Sequence, residues 1–211
     1  MKRINKQEEP QAFLDWKAQA NADWQPGYDE LRGVEKQAVK QSLMAEQGFL
    51  CCYCERRLTD DDSHIEHFRP QNDPQCDPLD YGNLLCSCQN KIPKGDPRHC
   101  GNLKNGWFRE ASLVSPLSEG CDDRFAFAGD GQIRATDPED QAATITIKNL
   151  GLDIPKLNDL RKNAIAPFAD ANLTDEEFRS FVAGYLGLNH AGMFGEFWTT
   201  IRHLFGAHVT Q

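Results

Sequence analysis

Long apolar runs are missing from this chain: no stretch of its 211 residues approaches the ~18 to 20 needed to cross a bilayer. The opening segment MKRINKQEEP carries basic residues with no apolar segment behind them, so it does not read as a secretory signal. The expected compartment is therefore the cytoplasm, with no membrane partner. An excess of positive charge is missing too, since 23 Lys and Arg stand against 32 Asp and Glu, a net −9. Binding nucleic acid by bulk electrostatics calls for a basic protein. Any contact with DNA or RNA must then come from a local patch or from a partner. Repeats and low-complexity tracts are absent as well. What remains, 39% hydrophobic and 26% charged residues, is the composition of a globular protein of one or two domains. Such a chain can bury a core without disulfide staples.

Cysteine is what the chain has in quantity. Eight occur, at 51, 52, 54, 76, 86, 88, 100 and 121, and the first seven fall within fifty residues. In a reducing compartment such a cluster reads as metal ligands before disulfides. Cys51 and Cys54 have the C-x-x-C spacing that brings two thiolates of one turn to a common ion. A second pair must complete a tetrahedron, from Cys86 or Cys88 together with Cys100; the set chosen is Cys51, Cys54, Cys88 and Cys100. Cys52, Cys76, Cys86 and Cys121 are assigned to filling core space, as free Cys readily does. A structural Zn²⁺ in this set would supply on the order of 10 kcal/mol of folding free energy.

Helical periodicity brackets the cysteine-rich segment. Two N-terminal helices are expected over 8–20 and 28–47, joined by a turn at Gln25-Pro26-Gly27 and ended by Gly48. From Phe49 to about Trp107 that periodicity gives way to Cys, Pro, Gly, Asn and Asp, the composition of a small site held by ligands. Residues 124–135 alternate on both sides of Gly129-Asp130-Gly131 and predict a hairpin. Helices follow at roughly 139–150, 155–168, 174–187, with Thr174 and Glu177 as a capping box, and 194–205. The last has a strongly apolar face, from Phe194 to Phe205, that reads as core or as a docking helix. The regions are 1–48, 49–110 and 111–211, expected to pack as one unit.

Between the cysteine pairs lies His64-Ile65-Glu66-His67-Phe68-Arg69-Pro70, followed by Asn83-Leu84-Leu85. Alternation predicts a short strand, with His64 and Glu66 on one face and His67 on the other. A carboxylate beside an imidazole can serve two tasks, holding a hard cation and accepting a proton from water. Phosphodiester hydrolysis needs both an activated water and a cation for the developing charge. A carboxylate plus an amide oxygen suits Mg²⁺ or Mn²⁺, and a neutral His67 can accept a proton near pH 7.

Taken together, Cys51 to Glu55 (CxYCE), His64 to Pro70, Asn83 to Leu85, Cys100 to Lys104 (CGxxK) and Ser115 to Leu117 resemble the HNH endonuclease family in its zinc-knuckle branch. The resemblance covers roughly residues 45–165 and is closer to the subgroup in bacterial anti-phage systems, PtuB of Septu and of Septu-like retrons. It implies a mostly α protein with a small ββα-metal centre, stabilised by the four-cysteine zinc site, and a hairpin near 124–135. It also implies metal-dependent DNA hydrolysis, with Glu66 as metal ligand, His67 as general base and Asn83 orienting the loop that carries the base. The third signature position follows the last Cys, where this chain has Gly101 and no side chain to donate. Asn105, Asn102 and His99 are the replacements considered, with Asn105 preferred. The implied cofactors are a structural Zn²⁺ and a catalytic Mg²⁺ or Mn²⁺. The implied partners are an SMC- or ABC-like ATPase, PtuA, and in retron systems a reverse transcriptase with its DNA–RNA hybrid.

Positive charge gathers near this constellation. Arg56, Arg57, Arg69, Lys91, Lys94, Arg98 and Lys104 are the candidate nucleic-acid contacts, opposed by Asp60-Asp61-Asp62. Two rival readings stand beside a DNA nuclease: a zinc-stabilised binding module without catalysis, and an HNH enzyme acting on RNA.

Overall fold

A computed structural model describes residues 1–169 and 173–209. Helix α1 (Gln11–Lys17) begins at Pro10, and α2 (Gly33–Glu46) runs on after a 3₁₀ turn at Tyr28–Glu30. Both are shorter than their sequence periodicity suggested. The break before α2 falls at Gly33, whose φ of +58° places the entry to the helix in the left-handed region. Phe13, Trp16, Leu31, Val39, Leu43 and Met44 turn one side of this pair into the core.

Strand β1 (Ser63–His67) pairs antiparallel with β2 (Leu84–Cys88), His64 opposite Ser87 and Glu66 opposite Leu85. The one-turn helix α3 (Gly101–Lys104) follows. It is bracketed by two non-glycine residues in the left-handed half of φ, Cys100 at 54° and Asn105 at 46°. Such conformations cost about 1–3 kcal/mol each and persist only where surrounding structure enforces them. The hairpin is β3 (Phe125–Phe127) with β4 (Ile133–Ala135), as alternation predicted.

Four α-helices follow among the described residues: α4 (Gln141–Asn149), α5 (Pro155–Ile165), α6 (Asp175–Leu186) and α7 (Trp198–Phe205). Asp140 caps α4 by accepting from Ala143 N–H, Pro155 opens α5, and Thr174 with Glu177 forms the anticipated capping box on α6. The helix expected from residue 194 starts only at Trp198. Phe194 N–H is taken by Gly48 O, Phe197 N–H by Glu55 O, and Phe197 sits at φ +53°. Tertiary hydrogen bonds thus replace the first helical turn and tie this segment to the Cys51–Cys54 turn. Glu55 adds a third link by accepting from Thr199 N–H at 2.7 Å. The main core runs from Met1 to Leu157, and a smaller apolar cluster of Ile165, Phe168, Val182 and Ile201 lies among the last helices. No described helix is long and apolar enough to cross a membrane.

Candidate active site and metal centre

Four thiols from three parts of the chain meet inside the protein. The sulfurs of Cys51, Cys54, Cys88 and Cys100 all lie within 4.8 Å of one another, every one buried and none in a disulfide. This is the only group of three or more potential ligands that converges so closely among the described residues. An all-sulfur donor set of four fits Zn²⁺. Burial opposes ionisation of Cys51, yet hydrogen bonds from the Cys100, Cys52, Cys54 and Cys88 thiols hold its pKa well below the ordinary value. A cation is the natural complement to that thiolate.

The backbone is shaped for this meeting. Glu55 and Gln89, each just after a ligand cysteine, have positive φ. Buried Gln47 donates to Leu50 O and Cys86 O and accepts from Cys86 N–H, clamping the first cysteine turn to β2. Gln89 closes the base of the loop between β2 and α3, donating to Pro97 O and accepting from His99 N–H. The segment between β2 and α3 is thereby looped out over residues 90–98, and the fourth cysteine reaches its place. Cys52, Cys86 and Cys121 are buried outside the cluster, as expected for core filling, whereas Cys76 is half-buried outside the core and donates to Arg69 O.

Beside this centre opens a cleft of about 450 Å³, lined by Glu66, His67, Gln71, Asn72, Lys104 and Asn105 among others. Alternation along β1 would send Glu66 and His67 to opposite faces. Both nonetheless line the cleft, because His67 is the last residue of the strand and the chain turns there toward Pro70.

His67 Nε2 lies 2.9 Å from the carbonyl of Pro78, which can only accept, so the proton is on Nε2. Nδ1 therefore keeps its lone pair, and Gln71 Nε2 donates toward it at 3.3 Å. The edge of the Tyr28 ring packs on the imidazole at 4.5 Å between centroids. Burial pushes the His67 pKa below its ordinary value, and the Pro78 carbonyl and Glu66 only partly offset this. The ring is thus neutral at pH 7 and can accept a proton at Nδ1.

Glu66 is held from two sides through one oxygen. Tyr53, inside the first cysteine turn, donates to Oε1 at 3.2 Å, and the Lys104 ammonium sits 2.8 Å from the same atom. Lys104 also donates to His67 O at 2.8 Å. Burial disfavours the Glu66 carboxylate, but His64 and Lys104 outweigh it and keep its pKa below the usual range. Glu66 is an anion at neutral pH; Tyr53 and Lys104 both act on Oε1, while His64 Nε2 lies 3.7 Å from Oε2.

Asn83 stands behind the cleft and clamps Arg69, accepting from its N–H at 2.7 Å and donating to its carbonyl at 2.9 Å. The three replacements considered for the third signature position fare differently. Asn105 lines the cleft with Glu66 and His67. Asn102 donates its amide to Gln89 O at 2.7 Å and does not line the cleft. His99 is buried, its Nδ1 3.1 Å from Cys100 Sγ.

The expected basic patch divides. Lys91, Lys94 and Arg98 are exposed on the 90–98 loop, with Lys91 4.0 Å from Asp61. Arg56 is half-buried, 3.7 Å from Asp62. Arg57 does not face solvent as a free cation: it donates to the carbonyls of Gly48, Phe49 and Phe194 and anchors the C-terminal segment. Arg69 is shared among Asp73, Gln75 and Glu110 over the Phe108 ring. Lys104 is 2% exposed, so its charge is spent on Glu66 rather than offered to a nucleic-acid backbone. Tyr53, Lys104 as the carboxylate's partner, and the Pro78 carbonyl were not read as site residues from sequence. The Tyr within C-x-Y-C was the one available signal.

No family model matches the chain. It is 30% identical over 143 residues to the "Retron Vc95 putative HNH endonuclease" of Vibrio cholerae, an alignment covering 64% of this chain and 67% of that protein. It is also 33% identical over 104 residues to the "Retron Ec83 putative HNH endonuclease" of Escherichia coli, covering 46% of this chain and 40% of that protein. The chain thus spans two thirds of one curated relative and less than half of the other.

Proposed function

Because the chain belongs to the HNH endonuclease family, we propose that it is a metal-dependent nuclease that hydrolyses DNA phosphodiester bonds as the effector of a bacterial anti-phage complex. The observation that carries the reading is the His67 tether. With Nε2 committed to Pro78 O, the lone pair of Nδ1 borders the same cleft as an ionised Glu66. His67 takes the proton of the attacking water at Nδ1. Asn83 fixes Arg69 and with it the turn that follows the base. Glu66 would hold a catalytic Mg²⁺ or Mn²⁺ through Oε2, the oxygen that Tyr53 and Lys104 leave free. When bound, that ion supplies charge stabilisation at the phosphoryl and leaving oxygens. Antiparallel β1 and β2 followed by α3 are the ββα frame of the proposal, and Cys51, Cys54, Cys88 and Cys100 would hold the structural Zn²⁺ that supports it.

The word retron in both relatives' names supports a retron-linked role. A PtuA-like ATPase, and a reverse transcriptase with its DNA–RNA hybrid, are the proposed partners. A net charge of −9 fits that view, because the exposed cations of the 90–98 loop alone would hold DNA weakly. The test is a nicking assay on DNA and RNA side by side, with Mg²⁺, with Mn²⁺ and without either. Metal-dependent cleavage of DNA that vanishes in His67→Ala, with zinc content retained, supports the proposal. Cleavage of RNA alone would replace the substrate, and binding without cleavage would leave a zinc-stabilised binding module.

A further inference from the structure

The residue after the fourth cysteine has no side chain, and the space such a side chain would occupy is already filled. A Cβ built on Gly101 would lie 2.4 Å from Glu66 Oε2 and 3.0 Å from His64 Nε2. The φ of Gly101 is not in the left-handed region, so the glycine answers to space rather than to backbone conformation. His64 and Glu66 are two apart on β1 and share a face. Glu66 Oε2 and His64 Nε2 face each other at 3.7 Å beside Gly101. That separation is too long for a good hydrogen bond. It is shorter than two metal–ligand bonds of about 2.1 Å laid end to end, so one ion can touch both atoms.

Among the described residues, the other groups that hold Glu66 do not compete for this gap. Tyr53 and Lys104 both act on Oε1. The pair is also reachable: Glu66 lines the 450 Å³ cleft, His64 lines a neighbouring cleft of about 510 Å³, and Ile65 lines both. Of the replacements considered for Gly101, the Asn102 amide is committed to Gln89 O and the His99 ring lies against Cys100, while Asn105 lines the cleft and is the rival the experiment must separate.

We propose that His64 is a ligand of the catalytic metal, taking through Nε2 the place that Gly101 leaves vacant. The site is then a Glu66–His64 pair on one strand over a glycine floor. This deepens the nuclease reading and rests on it. It also bears on metal preference, because Mg²⁺ is bound through oxygen and water whereas an imidazole ligand suits first-row transition ions.

The experiment is Mn²⁺ titration of the zinc-loaded full chain by electron paramagnetic resonance, with spin-echo modulation to detect a directly bound ¹⁴N. Variants are His64→Ala, His64→Gln, Glu66→Gln and Asn105→Ala, each accepted only with one zinc per chain. The expected result is nitrogen modulation in the wild type that is lost in both His64 variants. Mn²⁺ affinity should fall at least about tenfold in the His64 variants and in Glu66→Gln, and remain unchanged in Asn105→Ala. If the wild type binds Mn²⁺ through Glu66 but shows no nitrogen modulation, or if His64→Gln binds as tightly as wild type, the His64 assignment is overturned and the nuclease reading stands. If Glu66→Gln binds Mn²⁺ as well as wild type, or if nothing binds, both are overturned.

Discussion

Lys104→Met tests the electrostatic frame of the site most directly. The Lys104 ammonium is 2.8 Å from Glu66 Oε1, with side-chain exposures of 1% and 9%, so solvent screens the pair little. At an effective dielectric near 20 the attraction is roughly 6 kcal/mol. Dehydration of both groups offsets much of it. Removing one member of such a pair typically costs about 3–5 kcal/mol, because the other charge stays buried and uncompensated. Methionine keeps the length of the lysine stem, so the loss is of charge and of the bond to His67 O. Urea unfolding with zinc saturating should show Lys104→Met destabilised by about 3–5 kcal/mol. Glu66→Gln/Lys104→Met should be less destabilised than the sum of the single changes by roughly 1.5 kcal/mol or more. The pH dependence has a definite sign. In the wild type the Glu66 pKa is lowered, so its contribution is present above the ordinary carboxylate value and lost as pH falls through the folded value. In Lys104→Met, burial is opposed by His64 without Lys104, so that pKa rises relative to the wild type and less of the contribution remains. The gap between the two proteins should therefore widen from acid toward pH 7. Single changes that add to within about 0.5 kcal/mol, or a gap that narrows with pH, would refute the pair as the anchor of Glu66.

His67 should give a nicking rate that is flat from pH 7 upward. The rate should decline only as pH falls through a value below 6.5, since burial lowers this pKa and protonation removes the base; an acid limb centred above 6.5 would contradict the assignment. Asn83→Ala deletes both bonds to Arg69 and should lower kcat about 10- to 100-fold with KM little changed, while Asn83→Asp, which keeps the acceptor for Arg69 N–H, should fall between. Native mass spectrometry should find one zinc per chain, and stripping it with a strong chelator should remove on the order of 10 kcal/mol of stability, visible as loss of cooperative unfolding. A chelated protein that melts like the untreated one would show that the four thiols hold the centre without an ion.

Much of this protein is readable from local signals. The capping box at Thr174, the glycine-rich turn between β3 and β4, the strand around Glu66 and the C-x-x-C spacing of Cys51 and Cys54 each depend on a few consecutive residues. Steric and hydrogen-bonding rules act on such stretches before the chain is folded. Four of the eight cysteines converge where their thiols could share one ion; the C-x-x-C spacing marked Cys51 and Cys54, while Cys88 was chosen over Cys86 without a local signal to separate them.

Long-range geometry decided the rest. A basic residue's sequence position says nothing of what it will meet, so Lys104 and Arg57 looked like phosphate contacts, whereas one neutralises a buried carboxylate and the other ties the nearby carbonyls of Gly48 and Phe49 to that of distant Phe194. The last helix lost its first turn to hydrogen bonds with Gly48 and Glu55, partners more than a hundred residues away that no local propensity contains. Gly101 looked like a defect in the motif when read along the chain. In space it is the floor beneath Glu66 and His64, because the volume a side chain would need belongs to residues of strand β1.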